Sequence, residues 1–257
     1  MKNCLLLAVG LGVALGAQAQ PGQAPAALTP AQVKALTKDY ATWYSYAYNN
    51  APLTCNFKPL DTAGKPVTRK AFLQQLLTGK VLALSNGREQ QRPVYQLYTY
   101  TGKNAQLRSI SQRLAQDALY QVDRVGQSLP AYRFTDLQGK TYTPATTRGK
   151  VLVLKCWFIS CVGCVKEFPE VNALAAKYQA NKEVLFISLT TDDGAPLRKF
   201  LQQKPLSYAV APNMRGYMQE RLHVNGYPTH VVVGRDGRIA YMTNSAGYLD
   251  SAIKAAL

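Results

Sequence analysis

Histidine is scarce in this sequence, with only His223 and His230 among 257 residues, and neither stands beside a second cysteine or histidine pair at ligand spacing. A structural zinc site needs four such donors, so no metal site is expected, and copper held by two cysteines with His230 is no better supplied. Acidic residues are also few: 14 Asp and Glu against 30 Lys and Arg leave a net charge of +16. The cations are scattered, the densest groupings being Thr68-Arg69-Lys70 and the stretch from Arg88 to Arg92. That pattern speaks for a solvated cationic surface and against a nucleic-acid footprint, while leaving attraction to acidic partners or a membrane surface open. The absence of an internal repeat excludes a solenoid. Five cysteines are too few for a disulfide-built scaffold of this length. Long hydrophobic runs are missing too: Leu5 to Gly16 holds about twelve residues, against the roughly twenty that cross a bilayer.

That short run is preceded by Lys2 and followed by Ala17-Gln18-Ala19, the pattern of a cleaved secretory signal over residues 1–19. The expected mature chain starts at Gln20 in an exported, disulfide-permitting compartment, the periplasm or cell envelope, and Cys4 leaves with the signal. Cys55, Cys156, Cys161 and Cys164 remain.

Residues 20–125 read as a mixed α+β extension. Thr29 and Pro30 open a helix through about Tyr46, and Pro66 to Leu77 forms a second helix ended near Gly79. Val81 to Ser85 and Val94 to Tyr100 are strands on either side of a loop. Leu107, Ile110, Leu114, Ala118 and Val122 recur at helical spacing up to about Arg124. Residues 126–257 differ in character. Gln138-Gly139 marks a hairpin, Val151 to Phe158 is a strand buried on both faces, and a helix runs from Val162 to about Ala180. Val184 to Leu189, Thr229 to Gly234 and Arg238 to Thr243 are further strands, with helices at Pro196 to Gln203 and Tyr248 to Leu257. This order gives an α/β layered domain with a mixed sheet.

The stretch from Trp157 to Val171, WFISCVGCVKEFPEV, places Cys161 where a strand gives way to a helix. Unpaired N–H groups there favour a thiolate, which makes Cys161 the attacking sulfur. Cys164, one turn on, is within disulfide reach and suits a resolving thiol. A ring this small would stabilise the fold poorly, so reversible exchange explains the spacing better than a structural clamp.

VLVLKCWFISCVGCVKEFPEV, followed by VNGYPTHVVVGRDGRI, resembles the thioredoxin fold, and within that redoxin and AhpC/TSA-like superfamily the exported TlpA-like thiol-disulfide oxidoreductases. The likeness covers Gly126 to Leu257. It implies a redox-active Cys161–Cys164 disulfide that needs no other cofactor, and cysteine-containing envelope proteins and an upstream redox donor as partners. Tyr227, Pro228 and Thr229 match the family's cis-proline loop, which faces the disulfide and binds substrate, and Trp157 matches an aromatic beside the site. Glu167 matches a carboxylate that shuttles the resolving thiol's proton, with partial burial raising its pKa. Three departures stand out: Ser160 in place of the usual Trp, Val162-Gly163 between the cysteines, and Lys155 where the family has a buried acid or Asn. Lys155 either tunes Cys164 or snorkels outward. His230 and His223 are read as a strand residue bonded to its neighbours and a solvated helix residue, and Cys156 as buried packing. The expected activity is protein-disulfide reduction or exchange. The rivals are a thiol peroxidase of the same fold with antioxidant activity, disfavoured because Leu154 and Phe158 stand where peroxide-holding Pro and Thr should be, and a noncatalytic envelope-binding module.

Overall fold

In the computed structural model, residues 28–257 other than Gln91 and Asn225 are described. The proposed secretory signal lies outside the described residues.

The N-terminal part begins with two helices rather than one. Thr29 caps α1 (Pro30–Leu36), and Asp39 accepts the Thr42 N–H at 2.7 Å to start α2 (Tyr40–Asn49). A cap in mid-segment resets the helix, which residue periodicity alone did not reveal. A three-stranded sheet follows in the order β1 (Lys58–Leu60), β3 (Arg92–Thr99), β2 (Val81–Glu89). Strands β2 and β3 run on into the stretch read as a loop, with Glu89 paired to Arg92. Helices α3 (Arg69–Leu77) and α4 (Ala105–Arg124) pack Phe72, Leu76, Ala115 and Ala118 against Phe57, Tyr95 and Leu97. On the other face of β2, Leu82 and Leu84 meet Trp43, Leu107 and Ile110. The Trp43 indole donates to Ser111 Oγ at 2.9 Å, so this buried ring keeps its polar end satisfied.

After α4 the chain forms the small hairpin β4 (Phe134–Thr135) and β5 (Thr141–Tyr142), then a five-stranded sheet. Its order is β10 (Ile239–Thr243), β9 (Thr229–Val233), β6 (Val151–Trp157), β7 (Val184–Thr190), β8 (Ala209–Ala211), with β6, β7 and β8 parallel and β9 antiparallel to both neighbours. All seven residues of β6 are buried, which accounts for its unbroken apolar run. Helices α5 (Val162–Lys166), α6 (Phe168–Lys177), α7 (Gly194–Gln203) and α8 (Leu249–Ala256) complete the α/β layers. Val151, Val153 and Val232 pack under Val171, Leu249 and Ile253, while Leu152, Leu154 and Cys156 face Phe134, Tyr142, Met218 and Leu222. This is the thioredoxin-like arrangement. Its short fifth strand β8 carried too little sequence signal to be read beforehand. His223 stands in a loop with φ 51°, exposed, not on a helix.

Candidate active site

The helix expected from Val162 to about Ala180 is broken just before Pro169, where the family resemblance implies a kink. Pro169 has no N–H to give the Val165 carbonyl, so α5 stops at Lys166 and α6 begins at Phe168. Glu167, the residue at the break, keeps helical dihedrals, and its side chain turns into the core. Cys161 caps α5 and is bonded to Cys164, with Cα atoms 5.3 Å apart. The Cys164 N–H points at Cys161 Sγ at 3.2 Å. Cys161 keeps 9% of its surface exposed and Cys164 none, so only the first sulfur can be reached from outside. The loop leading to Cys161 is anchored by Asp192, which accepts the Ile159 N–H at 2.8 Å and the Thr190 hydroxyl at 2.6 Å. No sequence motif marked Asp192.

Trp157, expected to bind substrate, is wholly buried and packs edge-on to Phe168 at 5.0 Å beneath the disulfide. It forms the floor of the site and cannot touch a partner. The Tyr227-Pro228 peptide is cis, and a Cβ added at Gly163 would lie 3.9 Å from Pro228 Cδ, so this loop stands directly over the cysteines' helix. Tyr227 packs edge-on to Phe158. Its backbone N–H and C=O make no hydrogen bond among the described residues. The Thr229 side chain is buried, its hydroxyl donating to the Gly226 carbonyl at 2.6 Å, so it too is structural. On the other side of Cys161 a groove of about 550 Å³ is lined by Ile159, Val162, Val165, Phe168, Phe200 and Pro205. Lys166 and Lys204 also line it, with no ion-pair partner among the described residues.

Beneath the disulfide lies a polar row that runs across the sheet. Lys155 on β6 pairs in register with His230 on β9 and Ser188 on β7, and His230 with Thr243 on β10. All four side chains are fully buried. Glu167 caps the row: its Oε2 accepts from Lys155 Nζ at 2.8 Å and from His230 Nε2 at 2.9 Å, and its Oε1 from the Ala246 N–H at 3.2 Å. Lys155 therefore does not snorkel. Burial pushes the Glu167 carboxyl up, but the hydrogen bond from His230 and the charge and hydrogen bond of Lys155 outweigh it and bring it down to about 2. The expected upward shift is reversed, and an ionised carboxylate clamped by a cation is a poor proton acceptor. Burial lowers Lys155 against the opposing pull of Glu167. Burial also lowers His230, offset by its bond to Glu167 and reinforced by Lys155. A protonated His230 would strand a buried Nδ1–H, since Nδ1 has no partner among the described residues. The neutral ring donating through Nε2 is the consistent form.

His230 was missed as part of the site because its histidine stood alone in sequence. The available signal was the pairing of a mid-strand lysine with the residue after Pro228-Thr229 on the adjacent strand. Cys156 is buried on the opposite face of β6, and desolvation pushes its thiol to about 12. Cys55 is buried and unpaired, 3.4 Å from the Tyr95 hydroxyl. No group of three His, Cys, Asp or Glu able to hold a metal occurs among the described residues.

Residues 124–257 match the Redoxin family. Among curated relatives, a thiol-disulfide oxidoreductase ResA of Bacillus thuringiensis subsp. konkukian is 31% identical over 116 residues, which is 45% of this chain and 66% of the relative. The ResA of Bacillus anthracis is 30% identical over 117 residues, 45% of this chain and 67% of that protein. The chain thus spans about two thirds or slightly less of these relatives. Among solved structures, a thiol-disulfide oxidoreductase from Bacteroides fragilis aligns with TM-score 0.47 at 18% identity, covering 51% of this chain and all of that one.

Proposed function

This chain belongs to the Redoxin family, and on that premise we propose that it is an exported thiol-disulfide oxidoreductase acting on disulfides of cell-envelope polypeptides. The observation that carries the reading is the asymmetry of the pair: an accessible sulfur at the start of α5, bonded to one that is sealed. In the reductive direction the Cys161 thiolate attacks one sulfur of a substrate disulfide, forming a mixed disulfide and expelling one substrate thiolate. The Cys164 thiolate then attacks Cys161 Sγ, expels the second substrate thiolate and closes the Cys161–Cys164 bond. Two electrons leave the protein, and a dithiol donor restores them.

An extended substrate segment would lie across Cys161. The free backbone groups of Tyr227 would pair with it on one side, and the groove between Lys166 and Lys204 would hold an apolar stretch with acidic neighbours on the other. No helix among the described residues is long and apolar enough to cross a membrane, and export rests on the secretory pattern of residues 1–19. In a dithiothreitol-coupled insulin reduction assay the wild-type chain is expected to turn over and Cys161→Ser to fall to the uncatalysed rate. Equal rates would refute the reading.

Lys155 is proposed to tune the pair. Its ammonium lies on the sheet face under the cysteines' helix and is fixed by Glu167, one turn from Cys164, so it favours a thiolate there and makes the disulfide more oxidising. Replacing it as Lys155→Asn leaves the Glu167 carboxylate without its cation. The reduction potential is expected to move to a more negative value by about 30 mV or more, the scale of a tenfold change in the exchange equilibrium. An unchanged potential removes the role.

A further inference from the structure

Gln121 is a buried glutamine near the end of α4, 6% exposed, with an Oε1 that finds no partner among the described residues. Burying an amide is unfavourable unless its hydrogen bonds are recovered. Its Nε2 donates to Asn244 Oδ1 at 2.6 Å, across the boundary between the N-terminal region and the redox domain. Asn244, just beyond β10, in turn donates from Nδ2 to the Pro228 carbonyl at 2.6 Å and to Thr229 Oγ1 at 3.0 Å, and Thr229 donates to Gly226. Every donor in this chain points the same way, from α4 to the Tyr227-Pro228 loop, so each bond polarises the next.

The neighbouring residue reaches the start of the same loop. Tyr120 donates to the Leu222 carbonyl at 3.3 Å, and its ring stands edge-on to His223. A cavity of about 60 Å³ between α4 and the loop is bordered by Tyr120, Gln121, His223, Thr229 and Asn244. Helix α4 is itself fixed to the edge of the sheet. Gly126 N–H bonds the Ile239 carbonyl at 2.8 Å, Ile239 N–H the Gln127 carbonyl at 2.8 Å, and Leu129 N–H the Gly237 carbonyl at 2.9 Å. Gln121 and its target therefore ride on one frame, β10.

We propose that α4 braces the Tyr227-Pro228 loop through Gln121 and Asn244, and that this brace sets how tightly a polypeptide substrate is held. It assigns the N-terminal region a part in recognition, and its second half rests on the proposed exchange reaction. Strand-like pairing with a substrate needs the Tyr227 backbone groups held to within a fraction of an ångström. Among the described residues, the side-chain hydrogen bonds at that end of the loop are the one from Thr229 and the two from Asn244, beside the Tyr227 ring contact with Phe158.

The test uses the full chain with Gln121→Ala, Asn244→Ala, both together, and Asp123→Ala as a control on the same helix, where the Asp123 carboxylate pairs with Lys70 at the surface. For insulin, KM is expected to rise about threefold to tenfold in either single variant, the loss of one or two buried hydrogen bonds. The double variant should be no worse than Asn244→Ala alone, while kcat and the rate with the small substrate hydroxyethyl disulfide stay at the wild-type level. Hydrogen exchange across residues 222–229 should quicken in Gln121→Ala and not in Asp123→Ala. Loop exchange unchanged in Gln121→Ala, or effects of the two substitutions that simply add, overturns the brace. A wild-type chain that does not reduce insulin sinks the exchange reaction instead, and the hydrogen-exchange comparison still decides the brace.

Discussion

Glu167→Ala is expected to lower the unfolding free energy of the oxidised protein by about 3–5 kcal/mol at neutral pH, the cost of leaving one member of a buried ion pair alone. The Lys155 side chain has no exposure, and among the described residues Glu167 is its one hydrogen-bond partner, while the neighbours in its row are a neutral histidine and a serine whose hydroxyl lacks a partner there. The variant must either keep an unsolvated ammonium or deprotonate it. Deprotonation becomes easier at high pH, so the deficit should shrink as pH rises. The double substitution Lys155→Met with Glu167→Leu removes both charges and should recover most of the loss, because the attraction of a buried pair is largely spent on desolvating it. Denaturant unfolding of the three proteins checks this. A loss under about 1 kcal/mol in Glu167→Ala would mean that the ammonium finds other solvation.

The same cluster fixes the acid response of the wild type. Glu167 drops from 4.5 to about 2 on folding, so the stability it contributes is complete above 4.5 and is lost as pH falls toward 2. His230 is also lowered, from 6.5, but as a base it resists the proton that the unfolded chain accepts. Its contribution therefore starts to fall below about pH 6.5, ahead of that of Glu167.

Sequence and structure agree where a pattern is long or doubly constrained. The apolar run of β6 could only be a central strand, and the Cys-Val-Gly-Cys stretch after it could only open a helix, so the two sulfurs were placed correctly from residues alone. The polar row was not legible. Lys155, Glu167, Ser188, His230 and Thr243 are scattered over nearly ninety positions, as the numbering shows, and only strand register brings them together. Glu167 drew the opposite pKa expectation because burial was visible from its helix position while its cation on the strand was not. Trp157 was misjudged for a related reason: alternation along β6 aims it into the core, under Phe168, where no substrate reaches. The Asp39 cap that splits the first helix and the short strands β1 and β8 are local features too brief to leave a periodic signal.

The claim on which the rest depends is that Cys161, and no other sulfur, is the attacking thiolate. Its site supplies what an attacking sulfur requires: partial exposure, and a backbone N–H directed at the sulfur from one turn into its helix. Cys55, Cys156 and Cys164 have no exposure, and desolvation pushes Cys156 up to about 12 against the opposing Lys155 charge. Iodoacetamide labelling of the fully reduced chain at pH 7, followed by peptide mass spectrometry, ranks the four thiols directly. Cys161 is expected to be alkylated first, about tenfold or more faster than any other cysteine, as the one exposed sulfur at a helix start should be. Labelling that starts at Cys164, or that leaves Cys161 unmodified while the chain stays folded, would contradict the account.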